Sequence, residues 1–221
     1  MFLKNNSIKI YGERKFQASL EETLKGQQHY PNFPISLEEI GAMGANISYN
    51  DMVSGEYTYL DDNITVNCVK LNHPDGVLCY NIEDFTVGKE NPNAVKKSKK
   101  VVYATETEHY SVLDKRLVKI AKDADILIYD AQYTPEEYSG AKDGMQKIGW
   151  GHSTYIWAID TAIAAGVKHL ILFHHDPEHT DADIVQIDKD ANDRLGVLWD
   201  TSNQGADLKV FAACEGLEIN L

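Results

Sequence analysis

The stretch that most constrains this chain is residues 170–181, which read LILFHHDPEHTD. It begins as a short apolar run of the kind that forms a buried β-strand, and three histidines and three acidic residues follow. A strand that delivers imidazole and carboxylate groups at its C-terminal end is how an α/β protein presents ligands to a metal ion. The stretch therefore predicts an α/β fold with a metal-binding sheet edge near His174.

Three other segments share this design. One apolar strand ends near His73, a second ends near Glu106 and Glu108, and a Gly-Trp-Gly turn precedes His152 at a predicted helix start. Taken singly, His73 and the two glutamates are also compatible with exposed loop residues. Taken together, they are imidazole and carboxylate groups from different strand ends, and such groups can converge on one ion. We therefore predict one metal site built from several strand ends.

A further acid, Asp130, ends the apolar run of residues 125–130. A carboxylate in that place could accept a hydrogen bond from His152 and raise the pKa of its imidazole. His152 would then be placed to protonate a leaving group.

The remaining histidines give weaker signals. His179 with Asp181 and Asp183 fits a helix N-terminus, where carboxylates are favoured by the helix dipole. Three others look like surface or hinge residues and are assigned no role: His29, His109 and His169.

Composition narrows the function class. The net charge of −13 argues against an autonomous nucleic-acid binder, which needs a basic face, but it does not exclude a small anionic substrate held by a metal ion. The cysteines (Cys68, Cys79 and Cys214) are odd in number and widely spaced, which predicts reduced structural thiols. No apolar run has the length of a membrane span and no signal-peptide pattern is present, so we predict a soluble, cytoplasmic protein.

The order of predicted elements supports one α/β domain over residues 1–221. Capping-box spacing at Ser19 and Ser36 predicts two early helices, and residues 45–83 alternate as β-strands do. From residue 101 onward, strands and helices alternate up to a closing strand at residues 208–221. The lysine-rich residues 88–100 are predicted to be a solvated loop, with a substrate-guiding basic patch as the alternative.

Five motif segments follow one another along the chain: residues 71–74 (LNHP), 102–108 (VYATETE), 127–133 (LIYDAQY), 149–154 (GWGHST) and 173–177 (FHHDP). In this order they closely resemble the metallo-β-lactamase-fold hydrolases, on the branch of ribonuclease Z and the phosphodiesterase-like enzymes. The match runs from near residue 1 to about residue 190. It is specific for fold and family rather than for substrate.

The resemblance implies a metallo-β-lactamase-type αββα sandwich, of the α/β (α+β) class, with a dinuclear site. The metal is usually zinc, with manganese or iron as alternatives. In such a site a metal-bound hydroxide attacks a phosphodiester or a similar bond, and the two ions stabilise the attacking and leaving oxygens. The implied partner is a small anionic or phosphodiester substrate.

The resemblance also implies roles by position. His73 matches a ligand of one metal and His174 a ligand of the other, and Glu106 falls where the family has a bridging carboxylate. His152 matches the histidine that assists the leaving group, and Asp130 the acid that pairs with it.

Two departures from the family pattern affect these expectations. The His-x-His-x-Asp-His motif is absent from the 221 residues, and its place lies upstream of residues 1–11, so we expect an N-terminally truncated fold comprising the C-terminal two-thirds. At the bridging position Glu106 replaces aspartate. One extra methylene moves the carboxylate by roughly a bond length, whereas metal sites tolerate changes in metal–ligand distance of only about 0.2 Å. Glu106 therefore fits a bridging position less well than aspartate would.

Three interpretations follow. In the first, the chain is part of a metal-dependent hydrolase and is inactive alone. In the second, it is a working hydrolase in which His175, Asp176, His179 or a partner chain replaces the lost ligands. The third interpretation is a non-catalytic binding or oligomerisation module derived from the fold. Because truncation would expose an apolar face or sheet edge, a homodimer is also expected.

Overall fold

The computed structural model describes residues 6–85, 98–202, 204–205 and 207–221. These residues form two compact units, Met1–Glu56 and Tyr57–Leu221, which are described separately. The prediction that residues 1–221 form one domain stays a prediction. Within the described ranges, no helix is both long and apolar enough to cross a membrane.

The first unit is a two-stranded parallel sheet with two helices. Its elements are β1 (Ser7–Glu13), α1 (Leu20–Gln27), α2 (Leu37–Ala42) and β2 (Asn46–Met52), and β1 pairs with β2. Both predicted capping boxes are confirmed, because Ser19 and Ser36 each accept a hydrogen bond from the backbone of the glutamate three residues on. A small core of Leu37, Ile40 and Ala45 supports α2.

The second unit is built on one seven-stranded mixed sheet, in the order β3-β4-β5-β6-β7-β8-β9. Its strands are β3 (Tyr57–Tyr59), β4 (Ile64–Leu71), β5 (Val77–Asp84), β6 (Lys99–Ala104), β7 (Ile126–Asp130), β8 (His169–Phe173) and β9 (Lys209–Ala212). The pairs from β3 to β6 are antiparallel, and those from β6 to β9 are parallel. This large mixed sheet confirms the predicted α/β class.

Four helices connect the later strands: α3 (Lys115–Ile120), α4 (Pro135–Ser139), α5 (Tyr155–Ala165) and α6 (Asp181–Ser202). α5 contacts β7 and β8, and α6 contacts β9. The core between them is mostly aliphatic, with Leu127, Leu170 and Ile159 completely buried. Burying such side chains contributes about 1.5–3 kcal/mol each, which holds the sheet edge that carries the polar residues.

Four details differ from the sequence prediction. The closing strand is β9 alone, a four-residue strand, rather than residues 208–221. α4 was not predicted, although Thr134 and Glu137 form a capping box around a proline at the helix start. β6 ends at Ala104 instead of Glu106, because the backbone of Glu106 is left-handed and cannot continue a strand. The predicted loop at 88–100 lies outside the described residues up to position 97, and its last two residues open β6.

Candidate metal centre

The direction of the strands explains why distant polar residues meet. β4 is antiparallel to β5 and β5 to β6, so β4 runs in the same direction as β6, β7 and β8. All four strands therefore end at the same edge of the sheet. The residues at or just beyond these ends are His73, Glu106, Asp130 and His174.

The carboxylate of Glu106 lies between two imidazoles. Its Oε1 is 3.1 Å from Nε2 of His174, and its Oε2 is 3.6 Å from Nε2 of His73. Each imidazole thus faces a different oxygen of one carboxylate. All three side chains are partly open to solvent.

The backbone at two of these residues is strained. Glu106 and His174 have φ values of 58° and 62°, in the left-handed region that disfavours residues with a Cβ atom. Among the described non-glycine residues, only Asp123 shares this conformation. Such strain costs about 1–2 kcal/mol per residue and concentrates at functional sites. Here it turns each side chain out of the strand direction and toward the other.

His152 lies beside this group at the start of α5. Its Nδ1 is 2.9 Å from Oδ2 of Asp130, and its ring centroid is 4.9 Å from that of His174 and 5.9 Å from that of His73. Burial lowers the pKa of His152, but the hydrogen bond and charge of Asp130 outweigh it, so the net pKa is raised above its ordinary value of 6.5. Histidine so held is a candidate proton donor near neutral pH.

Close packing joins His73 to the turn before His152. Gly151 has a φ of 95°, and a Cβ atom there would lie 2.8 Å from Nε2 of His73 and 2.9 Å from Cδ of Pro74. Only glycine permits this approach. The turn and the His73 ring therefore occupy mutually dependent positions.

The donor atoms fit a divalent metal ion. Within the described ranges, two groups have donors within 4.8 Å of one another: His73, Glu106 and His152, and Asp130, His152 and His174. Imidazole nitrogen and carboxylate oxygen suit zinc, and the roughly four ligands that zinc takes leave room here for water or other donors. The backbone N–H of Asp75 points at Nδ1 of His73 at 3.3 Å, so coordination through Nε2 would require the ring proton to move to Nδ1 and would weaken that contact.

The structure thus brings together all five residues singled out from the sequence. The suggested replacement ligands are not part of either group of donors: His175, Asp176 and His179. His179 instead faces Glu137 on α4, with Nε2 3.0 Å from its Oε1.

Near the centre, the sequence analysis gave His109 no role and did not predict that Glu108 is buried. His109, given no role, is half-buried, stacks on Trp157 at 4.7 Å and has Nδ1 3.0 Å from Oγ of Ser153. Burial lowers its pKa to about 4, although Glu108 and Asp130 act in the opposite direction. Glu108 is almost completely buried, not exposed. No local pattern reveals either contact, because the partners are more than 25 residues away along the chain.

No family model matches the chain. Among curated relatives, the protein named ribonuclease Z in Rippkaea orientalis is 32% identical over 101 residues, which is 46% of this chain and 29% of that protein. The ribonuclease Z of Prochlorococcus marinus (strain MIT 9301) is 23% identical over 223 residues, covering 83% of this chain and 66% of that protein. The chain therefore spans about two thirds or less of the length of these relatives.

Solved structures agree on the fold. The metallo-β-lactamase fold protein YhfI from Bacillus subtilis aligns with a TM-score of 0.56 and 15% identity over 96% of this chain and 64% of that one. A diphosphatase from the PhnP family aligns with a TM-score of 0.54 and 16% identity over 98% of this chain and 60% of that one. Zn²⁺-bound PqqB from Methylobacterium extorquens aligns with a TM-score of 0.51 and 14% identity over 83% of this chain and 57% of that one. The chain therefore has the metallo-β-lactamase fold, and its sequence is similar to ribonucleases Z over part of their length.

Proposed function

We propose that this chain carries part or all of the centre of a metal-dependent hydrolase that acts on phosphodiester-type bonds. The observation that carries the proposal is the position of the Glu106 carboxylate, whose two oxygens face the Nε2 atoms of His73 and His174. In the proposal, these three residues hold a divalent ion, with zinc preferred and manganese or iron as alternatives.

The chemistry that such an ion supplies is Lewis-acid polarisation of the substrate and a nucleophile available at neutral pH. The chain's own residues then orient the site. The two carboxylate oxygens of Glu106 face His73 on one side and His174 on the other. The strained backbone of Glu106 fixes the direction in which this carboxylate points. The partly exposed rings of His73 and His174 leave the centre open to a substrate from solvent.

His152 has the proton-transfer role in the proposal. Asp130 occupies Nδ1, so Nε2 is the nitrogen left to hold a proton for a leaving oxygen. The raised pKa keeps a larger share of the ring protonated near neutrality. Since an alkoxide is a poor leaving group, protonation by a positioned imidazole would contribute about 10²–10⁴-fold.

The comparisons support a phosphorus-centred reaction in general terms. The curated relatives carry the name of a ribonuclease, one structural neighbour is a diphosphatase, and another is bound to zinc. Phosphodiesters are the bonds of RNA, and the sequence similarity therefore favours RNA as one candidate substrate. A small phosphodiester is the other.

Local charge favours the small substrate. Next to Tyr133, whose ring centroid is 6.0 Å from that of His152, a cavity of about 310 Å³ is lined by five acids and two lysines. Together with the net charge of −13, this surface repels a chain of phosphates more than a single diester. If RNA were the substrate, the cationic surface that binds its phosphates would have to come from a partner molecule.

The experiment combines metal content with turnover. Protein purified without chelator or a histidine tag would be analysed by elemental mass spectrometry, then assayed with bis(p-nitrophenyl) phosphate and with single-stranded RNA. We expect about one to two equivalents of metal. We expect His73→Ala and His174→Ala to lose metal, and His152→Ala to keep it while turnover falls.

A matched control is His169→Ala, which removes a half-buried histidine at the opposite end of β8. It should change neither metal content nor turnover beyond its effect on stability. Unchanged metal content in His174→Ala protein would reject the ligand assignment. Well under one equivalent in the unaltered chain would favour the alternative of a non-catalytic binding or oligomerisation module. The predicted homodimer and cytoplasmic location stay predictions, and sedimentation analysis would test the first.

A further inference from the structure

We propose that Glu108 is the positioning residue of this centre: its buried carboxylate fixes the turn that carries His152, and its backbone fixes the end of β4 that carries His73. The proposed role in turnover rests on the proposed function, whereas the role in fixing the turn does not. Glu108 forms no hydrogen bond with either histidine and would act through the turn and the strand end that it holds.

The environment of Glu108 is unusual for a carboxylate. The residue is 8% exposed and lies two positions after Glu106, yet its side chain turns into the protein. Burying a carboxylate is costly unless several donors surround it. An ordinary surface glutamate would avoid this cost, so the contacts that Glu108 gains inside must offset it.

Three donors meet this carboxylate. Oε1 accepts hydrogen bonds from the Tyr138 hydroxyl at 2.6 Å and from the Gly149 backbone N–H at 2.7 Å. Oε2 accepts a hydrogen bond from the Gly151 backbone N–H at 3.1 Å. Both oxygens thus hold the same turn, one on each side of Trp150. Hydrogen bonds to an ionised acceptor are about twice as strong as neutral ones.

The backbone of Glu108 holds a second segment. Its N–H donates to the carbonyl oxygen of Asn72 at 2.8 Å, and Nδ2 of Asn72 donates back to the carbonyl oxygen of Glu108 at 3.2 Å. Asn72 directly precedes His73. One residue therefore ties together the segments that deliver two histidines from positions about 80 apart in the sequence.

The turn needs such an anchor because of its composition. Gly149 and Gly151 have φ values of 85° and 95°, and glycine loses more conformational freedom on ordering than any other residue. Trp150, between them, is 50% exposed and is held on one side by Lys147. Because Gly151 lies against the His73 ring, any displacement of the turn also disturbs that imidazole.

The test uses native-state amide exchange on the full chain, without added metal. Glu108→Gln keeps the size of the side chain but leaves only one acceptor oxygen, so at least one glycine N–H faces an amide NH₂. Glu108→Ala removes all three contacts. We expect exchange at Gly149, Gly151 or both to accelerate about 10- to 100-fold, as loss of a charge-assisted hydrogen bond implies.

Two controls separate positioning from a general loss of stability. Glu137→Gln removes a carboxylate of similar burial on α4, and it should leave exchange at the two glycines unchanged relative to the rest of the sheet. Tyr138→Phe removes one hydrogen bond to Glu108 but leaves both glycine contacts in place, so the turn should stay protected. In protein labelled with 5-fluorotryptophan, the Trp150 signal should shift in Glu108→Gln while that of Trp199, which lies on α6, stays in place.

Two results would overturn the proposal. The first is unchanged protection of both glycines in Glu108→Gln. The second is faster exchange of equal size across β7 and β8, which would mean that Glu108 contributes to global stability only. If Glu108→Ala does not fold, Glu108→Gln and Tyr138→Phe still decide between the outcomes.

Turnover adds an independent readout. If bis(p-nitrophenyl) phosphate is a substrate, Glu108→Gln should lower kcat about tenfold or more with little change in KM, because a displaced proton donor affects the transition state rather than binding. An unchanged kcat despite a mobile turn would reject the positioning role. If the unaltered chain shows no turnover, the proposed function fails, while the exchange and fluorine signals still test the anchoring of the turn.

Discussion

The Nδ1 atom of His152 lies 2.9 Å from Oδ2 of Asp130, a carboxylate with no exposed surface. Asp130 also accepts hydrogen bonds from the backbone N–H groups of Thr107, Gln132 and Ser153, at 3.1 to 3.2 Å. Its two oxygens therefore fix the loop after β6, the end of β7 and the start of α5 around one imidazole. The orientation of His152 is set by the fold before any ligand binds.

Replacing Asp130 with asparagine tests the coupling to His152. In the metal-free protein the pKa of His152 is raised above 6.5, so its contribution to stability is fully present below the unfolded pKa and is lost as pH rises through the folded pKa. Asp130→Asn should cost about 2 kcal/mol through disrupted buried hydrogen bonds, with a larger loss at about pH 5.5 than at about pH 8.5. Denaturant unfolding at both pH values measures this, and a pH-independent loss would contradict the coupling.

The pair Gly151→Ala and Gly149→Ala tests the packing of the turn on His73. Both residues have positive φ, which costs an alanine about 1–2 kcal/mol. Only at Gly151 would the new Cβ meet the His73 ring, since nothing lies within 4 Å of a Cβ at Gly149. Gly151→Ala should therefore destabilise the chain more, by about 1–3 kcal/mol over Gly149→Ala, and should weaken metal binding. Equal effects of the two substitutions would argue against the close contact.

Shortening Glu106 tests its position between the two imidazoles. In Glu106→Asp the carboxylate retreats by roughly one bond length from contacts that already measure 3.1 and 3.6 Å, whereas metal sites tolerate about 0.2 Å. We expect metal affinity to fall by about 10- to 100-fold, measured by competition with a chromogenic chelator. Tighter binding would show that the backbone adjusts and that aspartate is the better bridge on this scaffold.

Glu137 should account for part of the acid sensitivity of the chain. Burial raises its pKa, but hydrogen bonds from Lys142, the Thr134 N–H and His179 outweigh this and lower the pKa from 4.5 to about 2. Its contribution is therefore present above about pH 4.5 and is lost as pH falls through about 2. Glu137→Gln should remove about 2 kcal/mol of the pH-dependent free energy of unfolding. This value is smaller than the pKa shift alone implies, because Lys142 is largely exposed and solvent screens its charge. Denaturant unfolding between about pH 4.5 and about pH 2 measures this. A free energy of unfolding that falls equally in Glu137→Gln and in the unaltered chain would contradict the assignment.

Local sequence determined the elements and their boundaries where the signal spans a few residues. The capping boxes at Ser19 and Ser36, the apolar runs of β7 and β8 and the start of α6 at Asp181 were all predictable, because each depends on contacts within about four positions. The same kind of signal at Thr134 was present and was overlooked. Four of the five site residues were proposed from their places at strand ends and His152 from its place before a helix, and all five also from the resemblance of their motifs.

Only the tertiary structure decided how those residues are arranged. The antiparallel return of β5 makes β4 parallel to β6, which brings His73 to the edge where Glu106 and His174 lie. Left-handed backbone at Glu106 and His174, the burial of Glu108 and the stacking of His109 on Trp157 are invisible in the sequence. These features depend on strand order and on packing between segments far apart in the chain, whereas sequence patterns report the few residues that a helix turn or a strand pleat places side by side.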